Sequence, residues 1–320
     1  MGNSRNSYLI KNTMIFTLGN LGSKLISFFL IPLYTNALTT TEYGVVDLIA
    51  TVGTVAVPVL TLNICESVMR FALDKDANKD KITQIGTNLL LIGMVVGLVI
   101  FPICHSFNRI SQYSVFVYFY VISLAASQLY LCDLRGKELL VYYSIGNVLH
   151  TFFIAALNIL FLVVFKGGIE GYLNAYIIAN ILTATYALIM GKGYRSFSFS
   201  GVDKKLLQRM IKYSIVLIPN SFMWWIMNSS DRVMVSSMVG IAANGIYAVS
   251  YKLPTLVSTL TTIFNQAWSY SAIREEGTED ENEYNNKIFR TLIGIVMLIG
   301  IGLITFMKPF LSIYVAKEYY

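Results

Sequence analysis

From Asn12 to Arg70 the sequence consists of two long apolar runs separated by the polar turn Thr39-Thr40-Thr41-Glu42-Tyr43-Gly44. Each run exceeds the roughly 20 residues that a helix needs to cross a bilayer, so the pattern predicts a transmembrane helical hairpin. Polar groups interrupt both runs at steps of three and four: Thr13, Thr17, Asn20, Lys24 and Ser27 in the first, Asp47, Thr51, Thr54, Pro58, Thr61 and Cys65 in the second. Such steps collect them on one face of each helix. Lipid offers that face no hydrogen-bond partner, so both stripes are expected to look inward, at other helices or at a water-filled cavity.

Further apolar runs over 83–104, 113–133, 141–165, 171–190, 213–238, 244–270 and 288–307 join 12–35 and 43–69 to give nine predicted spans. The hairpin also recurs at an offset of 201 residues. That offset carries Thr51, Thr54, Pro58, Thr61 and Cys65 onto Lys252, Thr255, Thr259, Thr262 and Gln266, and the turn's Tyr43-Gly44 onto Asn244-Gly245. A repeat of this kind predicts two lobes with a site at their interface. The expected division is a six-helix lobe over 1–190, a linker over 191–212 and a three-helix partial lobe over 213–320.

Composition supports a membrane chain: 55% of residues are hydrophobic, 13% are charged, and the mean hydropathy is +0.61. Soluble domains carry about 25% charged residues. The net charge of +6 does not call for nucleic acid, because most of the basic residues fall in alternate connections between apolar runs. That bias predicts a cytoplasmic N-terminus and, after nine spans, an external C-terminus. No small-residue cleavage motif follows the first run, so a cleaved signal peptide is not expected. In the linker, Asp203 is a candidate N-cap, and Leu206, Leu207, Met210 and Ile211 share a face opposite Lys204, Lys205, Arg209 and Lys212. This predicts an interfacial helix lying against membrane lipids and leading into the seventh span. Cys65, Cys104 and Cys132 suggest neither a disulfide framework nor a metal cluster, and no cofactor is implied.

The informative charges are those inside spans, where each costs about 2.5–3.5 kcal/mol unless compensated. Lys24, Asp47, Asp231, Arg232 and Lys252 are of this kind, with Glu66 nearer a membrane edge and expected to pair with Arg70. Asp231 and Arg232 are adjacent, hence about 100° apart around a helix, and must face different neighbours. His150 reads as a packing hydrogen-bonder. Asp74-Lys75-Asp76 spells a D-x-D, but it stands alone in a short charged connection and reads as a solvated turn, as does the acidic run Glu275 to Glu283. No G-x-x-x-x-G-K-[ST] is present, so ATP hydrolysis is not expected.

The opening Asn12 to Phe29, the turn Thr41-Glu42-Tyr43-Gly44 with Asp47 beyond it, and Ser230-Asp231-Arg232 leading through Gly240 to Gly245-Ile246-Tyr247 resemble the polysaccharide-biosynthesis branch of the MOP exporter superfamily. Within it the likeness is to Wzx-type O-antigen or capsule-repeat flippases. The resemblance implies an all-α, MATE-like two-lobe bundle in the bacterial cytoplasmic membrane, working by alternating access. Its implied cargo is an oligosaccharide repeat on undecaprenyl diphosphate, with a polysaccharide polymerase as a possible partner and no enzymatic step of its own. It also implies substrate contacts at Lys24, Arg232, Lys252, Asn20 and Asn228, and coupling to a proton or sodium ion at Asp47 and Asp231. Family members carry about three further helices in the second lobe, so this chain is expected to be either a fragment or the product of a shortened gene. The rival readings are a multidrug or organic-cation exporter, a lipid II-type flippase, and a membrane glycosyltransferase or polymerase using Asp74 and Asp76.

Overall fold

A computed structural model of the chain describes residues 26–74, 76–105, 111–275 and 281–319. Among these residues nearly every element is helical and there are no strands. In chain order they are α1 (Ile26–Ala37), α2 (Thr40–Leu60), α3 (Ile64–Ala72), α4 (Lys79–His105), α5 (Ser114–Gly136), α6 (Leu140–Asn158, continued by a π-helix over Ile159–Val164), α7 (Gly168–Met190), α8 (Lys204–Met238), α9 (Ile241–Glu275) and α10 (Glu281–Tyr314). Six stretches, covering α2, α4, α5, α6 with its extension, α7 and α10, are long and apolar enough to cross a membrane. Helices α8 and α9 are longer still, 35 residues each, but Asn220, Asn228, Asp231 and Arg232 in one and Lys252, Thr255 and Thr259 in the other lower their hydropathy. A helix that faces another lobe rather than lipid can carry such groups. The chain is a multi-pass membrane protein.

Helix α2 begins where the turn chemistry says it should. Thr39 Oγ1 accepts from the Glu42 amide at 3.3 Å while Glu42 Oε2 accepts from the Thr39 amide at 2.9 Å, a reciprocal capping box. Its buried face runs from Tyr43 through Asp47 and Thr51 to Val57. The expected single span over 43–69 is broken, however. After Pro58 the chain leaves the helix at Thr61-Leu62-Asn63, with φ of 51° at Leu62 and 53° at Asn63, and restarts as α3. A β-carbon in the left-handed region costs about 1–2 kcal/mol, so Leu62→Gly should stabilise the protein by about 1 kcal/mol in a detergent unfolding titration. Unchanged or lower stability would mean that Leu62 packing outweighs the backbone strain.

The break carries α3 against α5, and this overturns the expectation that the cysteines stay unlinked. Cys65 and Cys132 form a disulfide with their Cα atoms 5.8 Å apart. A separation of 67 residues in sequence gave no hint of that proximity, which depends on how α3 is set off from α2. The Glu66–Arg70 pairing is also corrected: Arg70 Nη1 binds Asp74 at 2.6 Å, one turn further on. Glu66 lies in the first turn of α3, where a carboxylate complements the helix dipole. The Asp74 engagement fits the solvated-turn reading of the D-x-D motif, whose Lys75 lies outside the described residues.

Helices α5, α6 and α7 pack closely on one another and hold an interior polar network. Asn180 is fully buried on α7; its Oδ1 meets His150 Nε2 at 2.9 Å, and its Nδ2 donates to Ser123 Oγ at 3.4 Å. His150 is thus a packing hydrogen-bonder, as its place on a polar stripe suggested. Asp133 accepts from Thr83 and from Lys137 Nζ, which also reaches the Gly191 carbonyl at 2.8 Å and so fixes the start of the linker. Asp203 caps α8 by accepting from the Lys205 and Leu206 amides, and α8 runs without interruption from its basic first turns through the apolar run at 213–238.

Helices α8 and α9 pack on α2 and α3 and on each other, with α10 against α9. At one end Ser67 on α3 donates to the Met210 carbonyl at 2.6 Å and accepts from Ser214 at 2.7 Å. Asn63, in the break, donates to Ser221 at 3.2 Å, and Trp225 Nε1 to the Thr51 carbonyl at 3.0 Å. At the Thr40 end the chain following α10 clasps α1. Tyr314 donates to the Phe28 carbonyl, the Ala316 amide to Thr35 Oγ1 and Tyr319 to the Leu38 carbonyl, while the Phe28 and Tyr314 rings stack 4.6 Å apart.

Candidate functional site

The 201-residue offset reappears as geometry where the N-terminal turns of α2 and α9 cross. A β-carbon on Gly44 would fall inside contact distance of the Ile241 carbonyl oxygen, and one on Gly245 inside that of Thr40. The offset relates Thr40 to Ile241 and Gly44 to Gly245, so the two contacts are equivalents exchanged across a local twofold. Only glycine lets the two backbones approach this closely. Asn244, fully buried, spans the crossing: its Nδ2 donates to the Gly44 carbonyl at 3.1 Å and approaches Asp47 Oδ2 at 3.4 Å.

One turn inward on α2, Asp47 Oδ1 accepts from Arg232 Nη1 at 2.9 Å, an ion pair between α2 and α8 with side chains only 7% and 16% exposed. Arg232 lies over the Tyr251 ring, its Cζ 5.3 Å from the centroid. Asp231 turns elsewhere and accepts from the Tyr247 hydroxyl. The adjacent charges therefore face different neighbours, as the 100° step requires. Both carboxylates proposed for ion coupling thus have partners in place.

Arg232 also lines a cavity of about 270 Å³ shared by α1, α8 and α9, with Ser27, Phe28, Ile31, Tyr251, Lys252 and Thr255 as the other walls. Two cations and three hydroxyl groups, of Ser27, Tyr251 and Thr255, here surround a space bounded by aromatic and aliphatic side chains. Such a lining suits an anion that must be held away from bulk water. No cluster of metal-ligating side chains occurs among the described residues.

Of the residues singled out in the sequence, Arg232 and Lys252 meet at this cavity, Asp47 stands beside it, and Asp231 supports the neighbouring Tyr247. Asn228 does not join them: it is exposed, and its amide caps the Trp224 carbonyl of its own helix at 2.8 Å. Lys24 and Asn20 lie outside the described residues. Sequence reasoning passed over Tyr251, Tyr247 and the role of Asn244, although the Tyr43-Gly44 to Asn244-Gly245 match already pointed at the crossing.

A profile of the family described as "Polysaccharide biosynthesis protein" matches residues 9–270. Among solved structures, a multidrug resistance MATE family transporter of the MOP superfamily, in an inward-facing conformation, superposes with a TM-score of 0.59 at 16% identity, covering 93% of this chain and 71% of that one. That likeness is one of fold. A MOP superfamily transporter from Pyrococcus furiosus Vc1 (DSM3638) gives a TM-score of 0.41 at 16% identity, over 95% of this chain and 70% of the other, too loose a superposition to weigh. A search of curated proteins found no match. With its helices arranged as in a MATE transporter and most of its length covered by the family profile, the chain belongs to the polysaccharide biosynthesis protein family.

Proposed function

We propose that the protein is a flippase that moves undecaprenyl-diphosphate-linked oligosaccharide repeats across the bacterial cytoplasmic membrane, N-terminus inside. The observation that carries this reading is the cavity holding Arg232 and Lys252 at the junction of α1, α8 and α9. A diphosphate and sugars cannot enter hydrocarbon unaided; cations and hydroxyls must replace their water while the lipid tail stays in the bilayer. Arg232 presents a planar fork of donors and Lys252 a mobile ammonium, a combination suited to phosphate oxygens. Lobes over 1–190 and 213–320, hinged through 191–212, would rock to switch the exposure of the cavity. Asp47 and Asp231 are where a coupling proton or sodium ion would act, and a polymerase would receive the product outside.

An organic-cation exporter of the same superfamily is the second reading, and the cationic lining of the cavity opposes it. Complementation separates the two. In a flippase-deficient strain making the cognate repeat, the protein should restore surface polysaccharide, and Lys252→Gln combined with Arg232→Gln should trap lipid-linked repeats inside, lowering export about tenfold or more, as the loss of one charge-assisted contact implies. Lys24→Gln belongs in the same series. Full export by the double variant would remove the cavity from the mechanism, and drug efflux without export would favour the rival.

A further inference from the structure

Arg232 belongs to the cavity and to the interlobe crossing at once. It lines the cavity beside Lys252, while its Nη1 reaches Asp47 Oδ1 at 2.9 Å. Its Nε is buried with no hydrogen-bond partner among the described residues. Asp47, for its part, is tied by Asn244 into the place where Gly44 and Gly245 bring the α2 and α9 backbones together. The ion pair is therefore the electrostatic half of a seal whose steric half is the glycine crossing.

We infer that Asp47 occupies the position of the cargo's anion on Arg232, and that a diphosphate entering the cavity displaces it and releases the seal. The inference rests on the flippase reading above. A phosphate that takes Nη1 and Nη2 end-on, in the bidentate mode, competes with Asp47 for Nη1. The added negative charge also repels the Asp47 carboxylate. Left in the crossing without its cation, that carboxylate is poorly tolerated, and parting the helices to admit water relieves it. A ligand shifts an equilibrium only through unequal affinity for the two states, and this competition supplies the inequality. In the sealed state Arg232 is shared; in the released state it belongs to the anion alone. Asp231 cannot replace Asp47, because it accepts from Tyr247 and faces about 100° away around the helix.

The seal can be read directly. Ala248 is fully buried one turn beyond Asn244, so Ala248→Cys, with Cys65, Cys104 and Cys132 replaced by Ser, reports opening through its rate of alkylation by a hydrophilic maleimide. Pyrophosphate serves as the anion probe, with its binding followed in parallel by thermal shift. Pyrophosphate should raise the alkylation rate roughly tenfold, and Asp47→Asn should show that higher rate with no anion present. If pyrophosphate binds and the rate stays low, and Asp47→Asn remains as protected as the parent, the latch is wrong while the anion cavity stands. If pyrophosphate does not bind at all, the diphosphate reading of the cavity falls and takes this inference with it.

Discussion

Asp47→Ala should destabilise the protein by about 3–5 kcal/mol, and Arg232→Met should cost a similar amount, because each leaves the other's charge buried and unpaired. The pair is 7% and 16% exposed, so solvent screens it little. Removing both charges together should cost far less than the sum of the single changes, since desolvating an ion pair consumes most of what its attraction returns. A double-mutant cycle on unfolding in detergent checks this directly. Near-additive losses would show that Asp47 and Arg232 do not depend on each other. The exposed Arg70–Asp74 pair provides the contrast: its removal should leave stability unchanged, because exposed pairs contribute little.

Gly44→Val and Gly245→Val should each force α2 and α9 apart, at about 1–3 kcal/mol apiece for overpacking a close crossing. Either variant places side-chain carbon where a backbone carbonyl of the opposite helix now sits, and a carbonyl fixed in a helix cannot swing away as a side chain would. The double variant should be less damaging than two independent changes, because separation caused by the first already makes room for the second. Surface polysaccharide should fall in step with the loss of the seal. Wild-type stability and export in Gly44→Val would mean that the close approach is not needed for either lobe to keep its place.

The helices were legible because membrane helices are specified locally: a run of apolar residues of the right length must form backbone hydrogen bonds with itself. The runs at 113–133 and 171–190 needed nothing else, and α5 and α7 cover them. The α2–α3 break was not legible, because nothing in the spacing around Leu62 and Asn63 separates them from the apolar run, and Asn63 finds its partner, Ser221, only on the distant α8. Arg70 shows the same limit at shorter range. Both Glu66 and Asp74 stand one turn away from it, and helical spacing alone could not choose between them.

The sequence by itself determined that this is a polytopic helical membrane protein with a repeated hairpin, and that Asp47, Arg232 and Lys252 cannot face lipid. Those conclusions follow from the length of apolar runs and the cost of an uncompensated charge in hydrocarbon, both properties of single segments. Only the tertiary structure decided that Arg232 pairs with Asp47, that Gly44 and Gly245 meet across a local twofold, that Asn228 stays outside the cavity, and that Cys65 reaches Cys132. Each of these depends on the position of one helix relative to another, which is set by close packing among residues far apart in the chain.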